Sequence, residues 1–112
     1  MTSYTFDEYQ ELARRTQNPN LTVKDRRLHA LHGLAGEVGE IHSLYQKAYQ
    51  GHAILREDLL TEVGDLLWFI AELCDVENAF MSDVAWANIE KLRERYPEGF
   101  SAERSRERYE AQ

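Results

Sequence analysis

Long apolar runs are missing from these 112 residues, and so is any useful stretch of alternating apolar and polar residues. Without about 20 consecutive apolar residues no segment is expected to span a bilayer. Without alternation of period two there is no signal for a strand. The start, Met-Thr-Ser-Tyr-Thr-Phe-Asp, has no basic region followed by an apolar run, so no secretory leader is expected. Cys74 is the single cysteine, which excludes an internal disulfide and fits a reducing compartment. Positive charge is in deficit: 13 Lys and Arg against 20 Asp and Glu leave a net charge of -7. Such a chain repels nucleic acid polymers and anionic membrane surfaces, so neither is an expected partner. These absences point to a cytoplasmic, all-α domain; the hydrophobic fraction of 43% suffices for a core.

Helix signals fill the chain, which reads as one domain over residues 1–112. Thr5 with Glu8 three residues on is a capping-box pattern, and it predicts a first helix from Phe6 to Thr16. Asn18-Pro19-Asn20 is a turn signal. A long helix is expected from Val23 or Asp25 to Gln50, with Gly51 as its stop. A third runs from Arg56 to Cys74. Asn78 reads as a cap for a fourth, Ala79 to Arg95, which Tyr96-Pro97-Glu98-Gly99 ends. The stretch from Phe100 to Gln112 is charged and reads as a short helix or a tail.

Within this frame one acidic word occurs twice. Glu37-Val38-Gly39-Glu40 is followed by Glu62-Val63-Gly64-Asp65, 25 positions on. Each word sets two carboxylates three residues apart on a helix, where like charges repel by a few tenths of a kcal/mol. Each also carries a glycine, which costs a helix up to about 1 kcal/mol relative to Ala. On a helical wheel Leu44, Ala30, Ala48, Ile41 and Leu34 fall within about 60° of Glu37, and Phe69, Leu73, Leu66 and Leu59 within about 60° of Glu62. Both leading glutamates therefore point into an apolar stripe, with Glu40 and Asp65 at its border. A lone buried carboxylate costs several kcal/mol unless it is paired or metal-bound. Four carboxylates without matched sulfur suit a hard cation, Mg²⁺ or Mn²⁺. A di-iron bundle would need Glu-x-x-His pairs, and no histidine here follows a Glu or Asp by three. His29 and His32 lie on the wheel away from Glu37 and read as structural or surface residues. Gly33, Gly36, Gly39 and Gly64 inside helices indicate close backbone approach or room beside a ligand.

Gly33-Leu34-Ala35-Gly36-Glu37-Val38-Gly39-Glu40, followed by Glu62-Val63-Gly64-Asp65-Leu66-Leu67-Trp68-Phe69, resembles the MazG-like nucleotide pyrophosphohydrolases of the all-α NTP pyrophosphatase superfamily. The stretch Asn88-Ile89-Glu90-Lys91-Leu92-Arg93-Glu94-Arg95-Tyr96-Pro97-Glu98-Gly99-Phe100 is similar to that family's closing segment. The resemblance spans roughly residues 25–105. It implies a four-helix MazG-like bundle completed by oligomerisation, as a homodimer or homotetramer. It also implies Mg²⁺-dependent hydrolysis of a nucleoside triphosphate to the monophosphate and pyrophosphate. By position Glu37, Glu40, Glu62 and Asp65 would be the metal ligands, with Glu40 or Glu37 as the base. Lys47, two turns beyond Glu40, and Lys91 and Arg95, one turn apart, are candidate phosphate contacts. Asn88 is a candidate sugar or phosphate contact, and Phe69 and Trp68 are candidate base contacts. Trp68 falls on a polar-leaning side of its helix, which suggests a subunit or substrate contact. A nucleotide-sensing module with little turnover is the alternative reading.

Overall fold

A computed structural model of the chain describes residues 3–111. Met1, Thr2 and Gln112, which fall in the first and last segments of the sequence reading, lie outside the described residues. The chain is all-α, with helices α1 (Phe6–Arg14), α2 (Val23–Tyr49), α3 (Arg56–Val76), α4 (Met81–Arg95) and α5 (Ala102–Glu110). Contacts divide it into two compact units, one ending at Met81 and one beginning at Ser82.

In the first unit, both halves of the capping box form. Glu8 N–H donates to Thr5 Oγ1 at 3.0 Å, and Thr5 N–H donates to a Glu8 carboxylate oxygen at 2.9 Å. The Thr5 bonds hold the Glu8 carboxyl below its ordinary range. The last turn of α1 tightens, with Arg15, Thr16 and Gln17 each donating three residues back. That tightening ends the helix at Arg14, short of the expected Thr16. Thr22 caps α2 by accepting from Asp25 N–H.

Two helices stop by the same device. After α2, Gly51 adopts φ +94°, His52 N–H reaches back to the Lys47 carbonyl, and Gly51 N–H reaches the Ala48 carbonyl. After α3, Asn78 adopts φ +55°, with Ala79 bonded to the Cys74 carbonyl and Asn78 to that of Asp75. Both are Schellman motifs. Asn78 is thus the stop of α3 rather than the start of α4. The fourth helix begins at Met81, whose N–H is taken by Gln10 Oε1 from α1 at 2.8 Å.

The α3 helix packs against both α2 and α1, and Ala13 and Tyr9 of α1 meet Leu67, Trp68, Ala71 and Cys74 of α3. Ala13, Ala71, Cys74 and Met81 form a buried cluster, with Tyr9, Leu67, Trp68 and Ala79 laid against it. A polar hub closes this end. Asp75 accepts from Gln10 (2.8 Å), Arg14 (2.7 Å) and Gln17 (2.7 Å), and Arg26 of α2 donates to Gln17 at 2.6 Å. Burial alone would raise the Asp75 carboxyl, but the bonds from Arg14, Gln17 and Gln10 outweigh it and hold the group below its ordinary range.

In the second unit, α4 and α5 follow one another across the Tyr96–Gly99 turn. The charged C-terminal stretch forms a helix that Ser101 caps at Arg104 N–H. Arg104 Nε donates to the Arg95 carbonyl at 2.7 Å, satisfying one of the carbonyls that the end of α4 leaves open.

Candidate metal centre

The α2–α3 pair brings the two acidic words together. Glu37, Glu62 and Asp65 each offer a carboxylate oxygen, and these three atoms lie within 4.8 Å of one another. Glu37 and Glu62 are half-buried and Asp65 is exposed, so the leading glutamates sit further in, as the wheel places them. Leu34, Ile41, Leu44, Leu59, Leu66, Phe69 and Leu73 flank them half-buried, while Ala48, near the end of α2, is exposed. Glu40 is exposed and outside the trio, although its charge acts on Glu37.

The electrostatics follow from this crowding. A hydrogen bond with Glu62, burial, and the charges of Glu62, Asp65 and Glu40 push the Glu37 carboxyl up to about 7. Its Oε2 is shut off from solvent and has no hydrogen-bond partner. Tyr9, on α1, is raised by burial and then by the charge of Asp65. A buried carboxylate oxygen without a donor calls for a proton or a cation. The all-oxygen donor set is one that a hard divalent ion accepts.

The other predicted residues are placed as follows. Phe69, four residues after Asp65, lays its ring against α2 where a Cβ on Gly33 would stand. Gly36, Gly39 and Gly64 have open space instead, so close approach explains only the first of the four glycines. Trp68 does not stand on a free polar face. Because α1 packs on that side of α3, its ring lies against the core cluster and its Nε1–H donates to Thr16 Oγ1 at 2.8 Å. Lys47 is exposed in the last turn of α2. In the second unit, Asn88 and Lys91 are exposed on α4. Lys91 and Arg95 line a cavity of about 530 Å³ with Arg104, Arg108, Glu94 and Glu107.

One pair was not anticipated. Glu72, fully buried on α3, bonds His29 Nδ1 at 2.6 Å. His29 therefore faces α3 rather than standing apart from it. The signal was present: Glu72 is the one charged residue in the run Leu66–Cys74.

The chain is thus an all-helical one whose facing α2 and α3 helices gather carboxylates at one place. The MazG nucleotide pyrophosphohydrolase domain matches residues 1–100. The chain belongs to that family. It is also similar to the Gene 37 protein of Mycobacterium phage L5, at 33% identity over 72 residues, which is 60% of this chain and 63% of that relative. The matched stretch thus spans less than two thirds of the relative's length. No solved structure matches the chain. Among the described residues no helix is long and apolar enough to cross a membrane.

Proposed function

We propose that the chain is a Mg²⁺-dependent pyrophosphohydrolase, cleaving a nucleoside triphosphate to the monophosphate and pyrophosphate in the cytoplasm. The observation that carries this reading is the Glu37–Glu62–Asp65 trio with its unpartnered buried Glu37 oxygen. These three residues, with Glu40 completing the set from the next turn of α2, would hold Mg²⁺, or Mn²⁺ in its place. When bound, such an ion neutralises charge on the triphosphate and makes water more acidic.

The chain's own residues do the rest. Glu40 or Glu37 accepts the proton of the water that attacks the α-phosphorus, and pyrophosphate leaves. Lys47, Lys91 and Arg95 are the proposed cations for the phosphates, Asn88 a sugar or phosphate donor, and Phe69 with Trp68 the base contacts. The buried apolar set is short (Ala13, Ala30, Ala71, Cys74, Val76 and Met81), whereas Val38, Tyr45, Val63, Trp86 and Ile89 are exposed. So much uncovered apolar side chain supports a homodimer or homotetramer.

The test is pyrophosphate release from a panel of ribo- and deoxyribonucleoside triphosphates, with and without Mg²⁺. Metal-dependent release that Glu37→Gln and Glu62→Gln abolish supports the reading. Tight nucleotide binding with negligible turnover across the panel would replace it with a nucleotide-sensing module. Neither binding nor a metal-dependent thermal shift would overturn both.

A further inference from the structure

Two side chains on the α2–α3 seam, His29 and Glu72, have no task in the reading above. Glu72 is fully buried; one oxygen meets His29 Nδ1 and the other has no partner. The His29 side chain stays 47% exposed. Its ring centroid lies 6.2 Å from that of Trp68 and 5.6 Å from that of Phe69, and those two rings meet edge to face at 5.1 Å. A buried carboxylate is costly, and here one of its oxygens orients a single half-exposed imidazole.

The orientation has a chemical consequence. With Glu72 ionised, its oxygen can only accept, so Nδ1 carries the hydrogen of this bond. In the neutral ring that leaves Nε2 as an acceptor. Position along the helices adds a second constraint. Phe69 follows Asp65 by four residues and Gly33 precedes Glu37 by four. At about 1.5 Å per residue these two lie roughly 6 Å along the helices from the carboxylates, and His29, eight residues before Glu37, lies roughly 12 Å from them, the order in which a nucleotide anchored by its phosphates presents its base and then the outer edge of that base.

We propose that His29, held by Glu72, reads the nucleobase, its Nε2 accepting from the exocyclic amino group of cytosine or adenine seated against the His29–Trp68–Phe69 rings. Uracil and guanine present a carbonyl oxygen at the corresponding position and gain no such bond. His29 is then a specificity residue and Glu72 a positioning residue. The proposal rests on the nucleotide reading of the carboxylate centre.

The test separates the two readings. Trp68 and Trp86 are the tryptophans of the chain, so in a Trp86→Phe background emission reports on Trp68. CMP, AMP, UMP and GMP are titrated without metal, and kcat and KM are then measured for the four triphosphates with Mg²⁺. CMP and AMP should bind about tenfold tighter than UMP and GMP, the worth of one hydrogen bond. His29→Ala should erase that difference and raise KM for CTP and ATP about tenfold, with a smaller effect on kcat. Glu72→Gln, whose amide can donate to Nδ1 or accept from it, admits both tautomers and should narrow the preference. Equal losses for all four bases, a shift in Tm alone, or a wild-type preference for UMP and GMP would overturn the proposal. Base-selective binding without hydrolysis of any triphosphate would sink the pyrophosphohydrolase reading and leave this one standing. Hydrolysis whose base preference His29→Ala leaves intact would do the reverse.

Discussion

Glu37 of α2 and Glu62 of α3 share a hydrogen bond across the helix pair, so the folded protein keeps a proton there that the unfolded chain releases. The Glu37 carboxyl is raised from 4.5 to about 7. Between those values the folded state binds more protons than the unfolded one, and stability declines as pH rises. The stabilisation is fully present below the unfolded value and gone above the folded one. In EDTA, Tm should therefore fall between pH 5 and 8. The fall should be no more than a few degrees, because the group is only half-buried and solvent screens it. Thermal unfolding across that range, with Glu37→Gln as the control, checks this. The variant should flatten the slope, and an unchanged slope would locate the titration elsewhere.

The same repulsion makes one substitution act in opposite directions on stability and activity. Asp65→Asn removes one charge from the trio and should raise the Tm of the metal-free protein. It should also remove most of the Mg²⁺-induced thermal shift, because a ligand for the cation is lost. Pyrophosphate release should fall by about 100-fold or more, since several kcal/mol of charge stabilisation rest on the metal and each 1.36 kcal/mol is tenfold. A destabilised metal-free Asp65→Asn protein would show that the trio is held together by contacts other than a bound ion.

How legible was this site before the structure? The inward turn of Glu37 and Glu62 could be read because it depends only on position within one helix. Membership of the trio could not, because it depends on which oxygens cross the gap between two helices; the wheel treats Glu40 and Asp65 alike, and the structure does not. Trp68 lies away from the apolar stripe that faces α2 and so reads as polar-facing, whereas α1 covers that side of α3. Asn78 sits at a boundary between two helices, and asparagine suits both a cap and a left-handed stop; only its φ of +55° chooses. The His29–Glu72 bond joins residues 43 apart, which no local pattern can register. Even so, a carboxylate embedded in Leu66–Cys74 announces that some partner must exist.

The Asp75 hub yields a stability prediction independent of catalysis. Its carboxylate accepts from Gln10 and Arg14 of α1 and from Gln17 just beyond it, so one α3 side chain gathers three polar ties at this end of the unit. Asp75→Asn keeps the shape but removes the charge and gives Gln10 or Gln17 a donor to face. Bonds to a charged acceptor are worth about 1.5–3 kcal/mol, and the replacement should cost about 2–4 kcal/mol in denaturant unfolding. Because the Asp75 carboxyl is held below its ordinary 3.8, its stabilisation is present above that value and lost as pH falls through the folded one. The wild type should lose stability in acid faster than Asp75→Asn does; parallel acid curves would remove Asp75 from the account.

The helix glycines separate packing inside the chain from contacts outside it. Alanine raises helix propensity by up to about 1 kcal/mol, so in free space each Gly→Ala change should stabilise. At Gly33 the new Cβ meets the Phe69 ring, which must move, and Phe69 is wedged between His29 and Trp68. Overpacking of that kind costs about 1–3 kcal/mol, which exceeds the propensity gain, so Gly33→Ala should lower Tm. At Gly36, Gly39 and Gly64 nothing lies within 4 Å of the added carbon. Those three variants should be as stable as the wild type or more so. If one of them nevertheless loses triphosphate hydrolysis or changes its mass in light scattering, the open space beside that glycine is filled in the working protein by substrate or by a second copy. If all three keep both properties, the glycines of the two acidic words serve neither, and the room beside the carboxylates is simply solvent.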